Sequence, residues 1–135
     1  MISTDLARLL AASGLRWKPS NGDAFRIDGD DFDDEVFTLS DMTIEAHEFG
    51  AGTVLGFNGT TEWALDSLSL DDVLWMPRED QLRTMLGSTF HSLARVEELF
   101  RVEATIGKTL ERFEAEDPAE AYGRALLALV TLASR

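Results

Sequence analysis

Residues 99–133 carry the clearest structural pattern in the chain: LFRVEATIGKTLERFEAEDPAEAYGRALLALVTLA. Apolar and charged residues alternate on both sides of Gly107-Lys108, and this pattern predicts a β-hairpin with a two-residue turn. The pairs predicted for this hairpin are Ile106–Thr109, Glu103–Arg112, Arg101–Glu114 and Val102–Phe113. Opposite charges then share one face and apolar groups the other, as a half-buried hairpin requires, with Glu111 as the one misfit on the apolar face.

A helix is predicted after this hairpin, from about residue 118 to 133. Asp117 is a typical N-cap, Pro118 suits the first helical position, and Glu120 stands where a capping box needs it. The apolar face expected to pack on the sheet comprises Tyr122, Ala125, Leu126, Leu129 and Val130.

Two further helices are indicated by apolar residues at helical spacing. The first covers residues 3–13, with a cap at Ser3 or Thr4, and its expected apolar stripe is Leu6, Leu9 and Leu10. The second begins at Pro77 and ends at Gly87. Glu79 and Asp80 suit its first turn, and its stripe is Leu82, Met85 and Leu86.

Short strands are predicted before the second helix. They lie near 25–27 and over 36–39, 43–49, 53–57 and 60–68, and Asn58-Gly59 is a strong hairpin-turn signal. Residues 90–96 fit a strand or a helix. Together the elements predict an α+β fold, with a mainly antiparallel twisted sheet of about five to seven strands. We expect the N-terminal, middle and C-terminal helices to pack on that sheet.

Length and composition predict a single α+β domain over residues 1–135. The chain is 44% hydrophobic and 27% charged, which is typical of a globular protein of one domain. It has no cysteine, no signal-peptide pattern and no apolar run as long as a membrane span. A cytoplasmic location without disulfides is therefore expected.

The net charge limits the classes of partner. Twelve Lys+Arg against 25 Asp+Glu give −13, and a protein of this charge repels nucleic-acid phosphates and anionic membranes. We therefore expect no nucleic acid and no membrane as partner, whereas a basic protein partner fits the charge.

The densest acidic stretch is residues 28–35, with the sequence DGDDFDDE. An EF-hand counted from Asp31 needs glycine at its sixth and glutamate at its twelfth position, where the sequence has Val36 and Met42. A solvated acidic loop, a contact surface for basic residues and a loose divalent-cation site remain as alternatives. The residues predicted to contact a partner are Trp17, Asp28, Asp30, Asp31, Phe32, Asp33 and Asp34.

No motif for catalysis or for a cofactor is found. Gly107-Lys108-Thr109 matches the end of a phosphate-binding loop, but Val102 stands where that loop needs its first glycine. Only His47 and His91 are present, and there is no Gly-x-Ser-x-Gly motif. We therefore predict no catalytic residues, no metal ligands and no cofactor.

The tryptophans allow two readings. Trp63 on an alternating strand and Trp75 before a helix are predicted to belong to the core. For Trp17, burial and contact with a partner remain equally open.

Four segments carry a resemblance to a known group of proteins. They are residues 34–37 (DEVF), 56–67 (GFNGTTEWALDS), 75–82 (WMPREDQL) and 120–129 (EAYGRALLAL). They resemble short actinobacterial proteins that are often labelled pilus assembly proteins of the CpaE type, over nearly the whole chain. The resemblance implies a role in pilus assembly and supplies no site residues. Trp75-x-Pro77-x-x-x-Gln81-Leu82 with the C-terminal helix is more weakly similar to small phage-associated proteins.

These observations predict a non-enzymatic protein-binding or accessory module. The alternative is a small-ligand binder or enzyme that uses a sheet-lined pocket. A third reading is a homodimer, in which a sheet edge or an apolar helix face pairs with a second copy.

Overall fold

The computed structural model describes residues 1–27, 35–39, 44–49, 52–57, 67–69 and 73–134. These ranges contain three α-helices, α1 (Thr4–Ala12), α2 (Glu79–Leu86) and α3 (Pro118–Ala133). The strands are β1 (Ala24–Ile27), β2 (Phe37–Thr38), β3 (Ile44–Phe49), β4 (Gly52–Phe57), β5 (Ser67–Ser69), β6 (Val73–Trp75), β7 (Phe90–Val96), β8 (Leu99–Ile106) and β9 (Thr109–Ala115). A 3₁₀ helix at Gly87–Thr89 connects α2 to β7.

The described strands form three antiparallel sheets of three strands each, in the orders β2-β1-β6, β3-β4-β5 and β7-β8-β9. The α+β class and the antiparallel pairing are thus confirmed, and residues 90–96 form a strand. A single sheet of five to seven strands is not confirmed. Short turns join consecutive strands such as β7, β8 and β9, and these strands pair with one another. The result is a small separate sheet. The Asn58-Gly59 turn lies outside the described residues.

The chain divides into two compact units. Unit 1 comprises Met1–Arg16 and Pro77–Arg135, and unit 2 comprises Trp17–Met76. A single domain over residues 1–135 stays a prediction. None of the described helices is long and apolar enough to cross a membrane.

In unit 1, α3 packs on β8 and β9, and both α1 and α2 pack on α3. The buried side chains of β8 are Val102, Ala104 and Ile106, which alternate with partly exposed polar ones. They share the core of this unit with Tyr122 and Ala125 on α3. The period of two in β8 and the broad apolar face of α3 therefore build one layer of helix on one layer of sheet.

The predicted register of the β8–β9 hairpin is confirmed at every pair. Ile106 pairs with Thr109 beside the turn, where Gly107 has a φ of 68°. Cross-strand ion pairs follow on the face away from α3: Arg101 Nη2 lies 2.9 Å from Glu114 Oε1, and Arg112 Nε lies 3.4 Å from Glu103 Oε1. Glu111, the predicted misfit, lies opposite Ala104 and is exposed at the edge of the sheet.

The helix caps are partly as predicted. Ser3 Oγ accepts a hydrogen bond from Leu6 N at 3.2 Å, and Asp117 Oδ1 accepts one from Ala119 N at 2.8 Å. The capping box predicted for Glu120 is wrong. Its carboxylate instead accepts hydrogen bonds from Ser3 N at 2.7 Å and Ser3 Oγ at 3.0 Å, because the N-terminus of α1 lies beside that of α3.

Two positions predicted in the helices are wrong. Pro77 is not the first helical residue, because α2 begins at Glu79 after the N-cap Arg78, whose backbone N–H is bound by Gln81 Oε1 at 2.9 Å. Leu9 is 53% exposed, and Ala7 completes the buried stripe of α1 with Leu6 and Leu10.

Phe25 lies at the centre of the described part of unit 2. It is 0% exposed and pairs with Phe37 on β2 and with Trp75 on β6. Ile27 and Leu39 are buried beside it. Three adjacent strands thus present apolar side chains to one small core.

Candidate functional site

The residues predicted to contact a partner fall largely outside the described part of the chain. Trp17 is described. The others, Asp28, Asp30, Asp31, Phe32, Asp33 and Asp34, lie outside the described residues. Partner contact by this set stays a prediction.

Trp17 is half-buried against the core of unit 2. Its ring centroid lies 5.5 Å from that of Phe25 and 6.4 Å from that of Trp75, with an angle of 11° between the two indole planes. Its Nε1 donates a hydrogen bond to Asp23 Oδ2 at 2.8 Å. The ring contacts and the hydrogen bond hold the indole against these residues, so Trp17 stabilises this core.

Asp23 is the buried acid of unit 2, only 3% exposed. Besides Trp17, the Ser20 backbone N–H donates to its Oδ2 at 3.0 Å, and its own carbonyl accepts from Leu39 N at 2.7 Å. A buried carboxylate is stable only with such donors. Asp23 is not among the residues predicted from the sequence, although a lone acid directly before an apolar strand is a visible signal.

A groove lined by three carboxylates lies at one end of the unit 1 sheet. It has a volume of about 740 Å³, and its lining residues are Glu97, Glu98, Leu99 and Glu116. Glu97 and Glu98 form the turn between β7 and β8, and Glu116 directly follows β9. All three glutamates are exposed. Their carboxylates have no hydrogen-bond or ion-pair partner among the residues that the structure describes.

The β7–β8 turn supplies two of the three carboxylates of this groove. Glu97 has a φ of 57°, the left-handed conformation that a tight turn needs, and its carbonyl accepts a hydrogen bond from Arg95 Nε at 3.2 Å. Arg95 also lies over the Phe100 ring, 5.4 Å from its centroid. Arg95, two residues before Glu97, is therefore engaged with a backbone carbonyl and a ring.

This groove was missed from the sequence, although the register predicts it. Phe100 pairs with Ala115, so the next step of the same register places Leu99 opposite Glu116. The turn glutamates and Glu116 must then meet at one end of the sheet. In the sequence, the acidic run at residues 28–35 is conspicuous because its acids are contiguous, whereas the three acids of the groove are not.

A second, more apolar groove of about 570 Å³ lies between α3 and the β8–β9 turn. Its lining residues are Ile106, Gly107, Lys108, Glu111, Arg124, Leu127, Ala128, Thr131 and Leu132. Leu132 is 38% exposed, so the C-terminal half of α3 leaves part of its apolar face uncovered.

The titration behaviour of unit 1 is set by local structure. The Arg78 guanidinium beside Asp80 holds the pKa of that exposed carboxyl below its usual range. Burial raises the pKa of Asp117, but hydrogen bonds from the Met1 ammonium group and the Ala119 N–H outweigh it, so this pKa is lowered. Burial raises the pKa of the Tyr122 hydroxyl. Neither aspartate lines either of the two grooves described above, and these shifts reflect an ion pair and a helix cap.

His91 has a local hydrogen-bond partner. Its Nε2 lies 2.6 Å from Thr105 Oγ1 across the β7–β8 pair, on the polar face of the sheet. Within the described ranges, no group of three or more His, Cys, Asp or Glu side chains could hold a metal ion.

Comparison of the chain with protein-family models, curated proteins and solved structures gives no match.

Proposed function

We propose that this protein is a binding module that takes a basic segment of a partner protein in the acidic groove of unit 1. The observation that carries the proposal is the meeting of Glu97, Glu98 and Glu116 around Leu99, with no cation paired to their carboxylates among the described residues. The three neighbouring carboxylates repel one another. A cation placed between them is therefore attracted electrostatically, and no described residue of unit 1 provides such a cation.

The charge of the whole chain supports the same proposal. At −13, the protein attracts basic partners over a distance and speeds their encounter. Leu99 is half-buried and gives the groove an apolar surface beside the acids. A partner segment that combines Lys or Arg with one apolar side chain therefore fits this surface best.

The test is a titration with a fluorescein-labelled octalysine peptide at several salt concentrations. In the triple variant Glu97→Gln/Glu98→Gln/Glu116→Gln, we expect the affinity to fall about tenfold, which corresponds to about 1.4 kcal/mol. The matched control Asp5→Asn/Glu79→Gln/Glu111→Gln changes the net charge equally and should lose less than about threefold.

The two triple variants are compared by their loss of affinity for the peptide. Equal losses of affinity would show that only the overall charge attracts the peptide, and the groove would then not be the site. Binding that does not weaken as salt rises would also contradict the proposal, because contacts between exposed charges are screened.

The apolar groove supports the alternative of a small-ligand binder. Its volume of about 570 Å³ lies within the ~300–1,000 Å³ of typical ligand sites, and Lys108 and Arg124 lie beside its apolar surface. An amphipathic anion such as anilinonaphthalene sulfonate is the matching probe. Fluorescence enhancement that is lost in Ala128→Glu would favour this alternative, and no enhancement would exclude that class of ligand.

A further inference from the structure

We propose that two copies of this chain pair through their β9 strands, antiparallel and centred on Phe113, and so form a continuous six-stranded sheet. The inference goes beyond the proposed function, although Glu116 of the acidic groove directly follows this strand.

The first observation is that β9 is an exposed edge strand. Among the described strands it pairs only with β8, and residues 109–112 are all exposed. Leu110 is 50% exposed. The register of β9 is continuous, and its sequence TLERFEA holds no proline, lysine or glycine, whereas the opposite edge strand, β7, has an irregularity between Phe90 and Ser92. β9 thus lacks several of the features that usually protect an edge from pairing.

The second observation concerns the direction of the backbone groups. In a hairpin with a two-residue turn, the residues beside the turn form a hydrogen-bonded pair, and bonded pairs then alternate along the strands. Thr109, Glu111 and Phe113 therefore bond to β8, while Leu110, Arg112 and Glu114 direct their N–H and C=O groups away from it. Arg124 Nη1 donates to the outward Glu114 carbonyl at 2.6 Å, and a carbonyl has a second lone pair for a partner strand.

The charges of β9 select one register. Two identical antiparallel edges are related by a two-fold axis that keeps the faces of the sheet together, so the axis must pass through a residue. Centres at Glu111, Arg112 or Glu114 each place identical charges opposite one another. A centre at Phe113 places Arg112 opposite the partner copy's Glu114, and Glu111 opposite the partner copy's Ala115.

This register extends a charge ladder that is already present in one copy. On the polar face, Glu103 pairs with Arg112 and Arg101 with Glu114. Joining two edges at Phe113 gives the order Glu103, Arg112, then the Glu114 and Arg101 of the second copy. Acid and base then alternate across four strands, and each interface charge has opposite charges on both sides. This local complementarity is what favours a second copy as the occupant, despite the net charge of −13.

Charge reversal tests this register directly. Arg112→Glu places two acids opposite each other at the interface, and Glu114→Arg places two bases there, so each variant alone should be monomeric. An equimolar mixture of the two restores both ion pairs and should form a heterodimer. Sedimentation equilibrium from about 10 µM to about 1 mM, at a salt concentration with a Debye length of ~8 Å, covers the range expected for a small edge contact.

The expected result is a dimer of the unchanged chain, at least tenfold weaker association of each single variant, and recovery on mixing. Lys18→Glu and Asp5→Arg reverse equal charges away from β9 and should leave association unchanged. A wild-type chain that is monomeric at about 1 mM, or a mixture no more associated than its components, would overturn the proposal.

A second variant does not depend on the charge reversals folding well. Phe113→Cys places a single cysteine at the proposed axis of a chain that has none. Opposed residues of a pair without backbone hydrogen bonds lie ~4.5 Å apart at Cα, a distance that a disulfide spans. Mild oxidation should link Phe113→Cys much faster than Leu110→Cys, and equal rates would contradict the register.

Discussion

Alanine at Gly123 tests how α1 packs on α3. A Cβ at this position would lie 2.6 Å from Leu6 Cδ2 and 3.3 Å from Ile2 Cγ2. Leu6 is 5% exposed and Ile2 3%, so neither side chain can turn into solvent without losing its burial. Overpacking a core costs ~1–3 kcal/mol, whereas exchanging glycine for alanine inside a helix gains ~1 kcal/mol. We expect Gly123→Ala to lower the free energy of unfolding of unit 1 by up to ~2 kcal/mol.

The sign of this effect should reverse when Leu6 is shortened. Leu6→Ala removes the nearest atom that the new Cβ would meet and leaves Ile2 Cγ2 at 3.3 Å, so in that background Gly123→Ala should raise the free energy of unfolding by up to ~1 kcal/mol. Leu10→Ala is the matched control, since Leu10 is also buried on α1 but is not among the three atoms nearest to the new Cβ. In the Leu10→Ala background, Gly123→Ala should still destabilise.

Urea unfolding followed by circular dichroism at the helical band measures the effect of Gly123→Ala in the unchanged chain and in the two variant backgrounds. The signal reports unit 1, because all three described helices belong to it. If Gly123→Ala stabilised the protein equally in all backgrounds, α1 would not pack on α3 as described.

Three further predictions concern side chains of unit 1, namely Tyr122, Ser3 and Glu120. The raised pKa of Tyr122 gives unit 1 stability that is complete below the unfolded value of 10.0 and is lost as pH rises through the folded value, so alkaline unfolding curves should show a smaller loss in Tyr122→Phe. Ser3→Ala removes the acceptor of Leu6 N and the hydroxyl that donates to Glu120, and should cost at least ~1 kcal/mol in thermal or urea unfolding. Glu120→Gln keeps one acceptor for the Ser3 N–H, so it should cost less than Glu120→Ala in the same assay, and equal costs would contradict the described contact.

Local patterns allowed much of unit 1 to be predicted. The Gly107-Lys108 turn determined the whole register of the β8–β9 hairpin, because a two-residue turn leaves one pairing and the charges agree with it. The predicted bounds of α3 were right because Asp117 and Pro118 mark its start unambiguously. Both predictions depend on residues close to one another in the chain.

The features that could not be predicted depend on distant residues. A capping box for Glu120 was reasonable locally, but Ser3, 117 residues away, provides the donors. Likewise, nothing around Leu9 indicates that Ala7 rather than Leu9 is buried. The grouping of strands into three sheets depends on the pairing of β1 with β6, two strands that are separated in the sequence by the strands of another sheet. Periodicity does not predict which strands pair.

The most direct test of the proposed function is to map the amides that respond to octalysine in a ¹H–¹⁵N correlation spectrum. The account predicts that the largest shifts occur at Glu97, Glu98, Leu99 and Glu116, and that they diminish as salt is raised. Shifts confined to residues 28–35, or spread evenly over all acidic residues, would contradict the groove as the binding site.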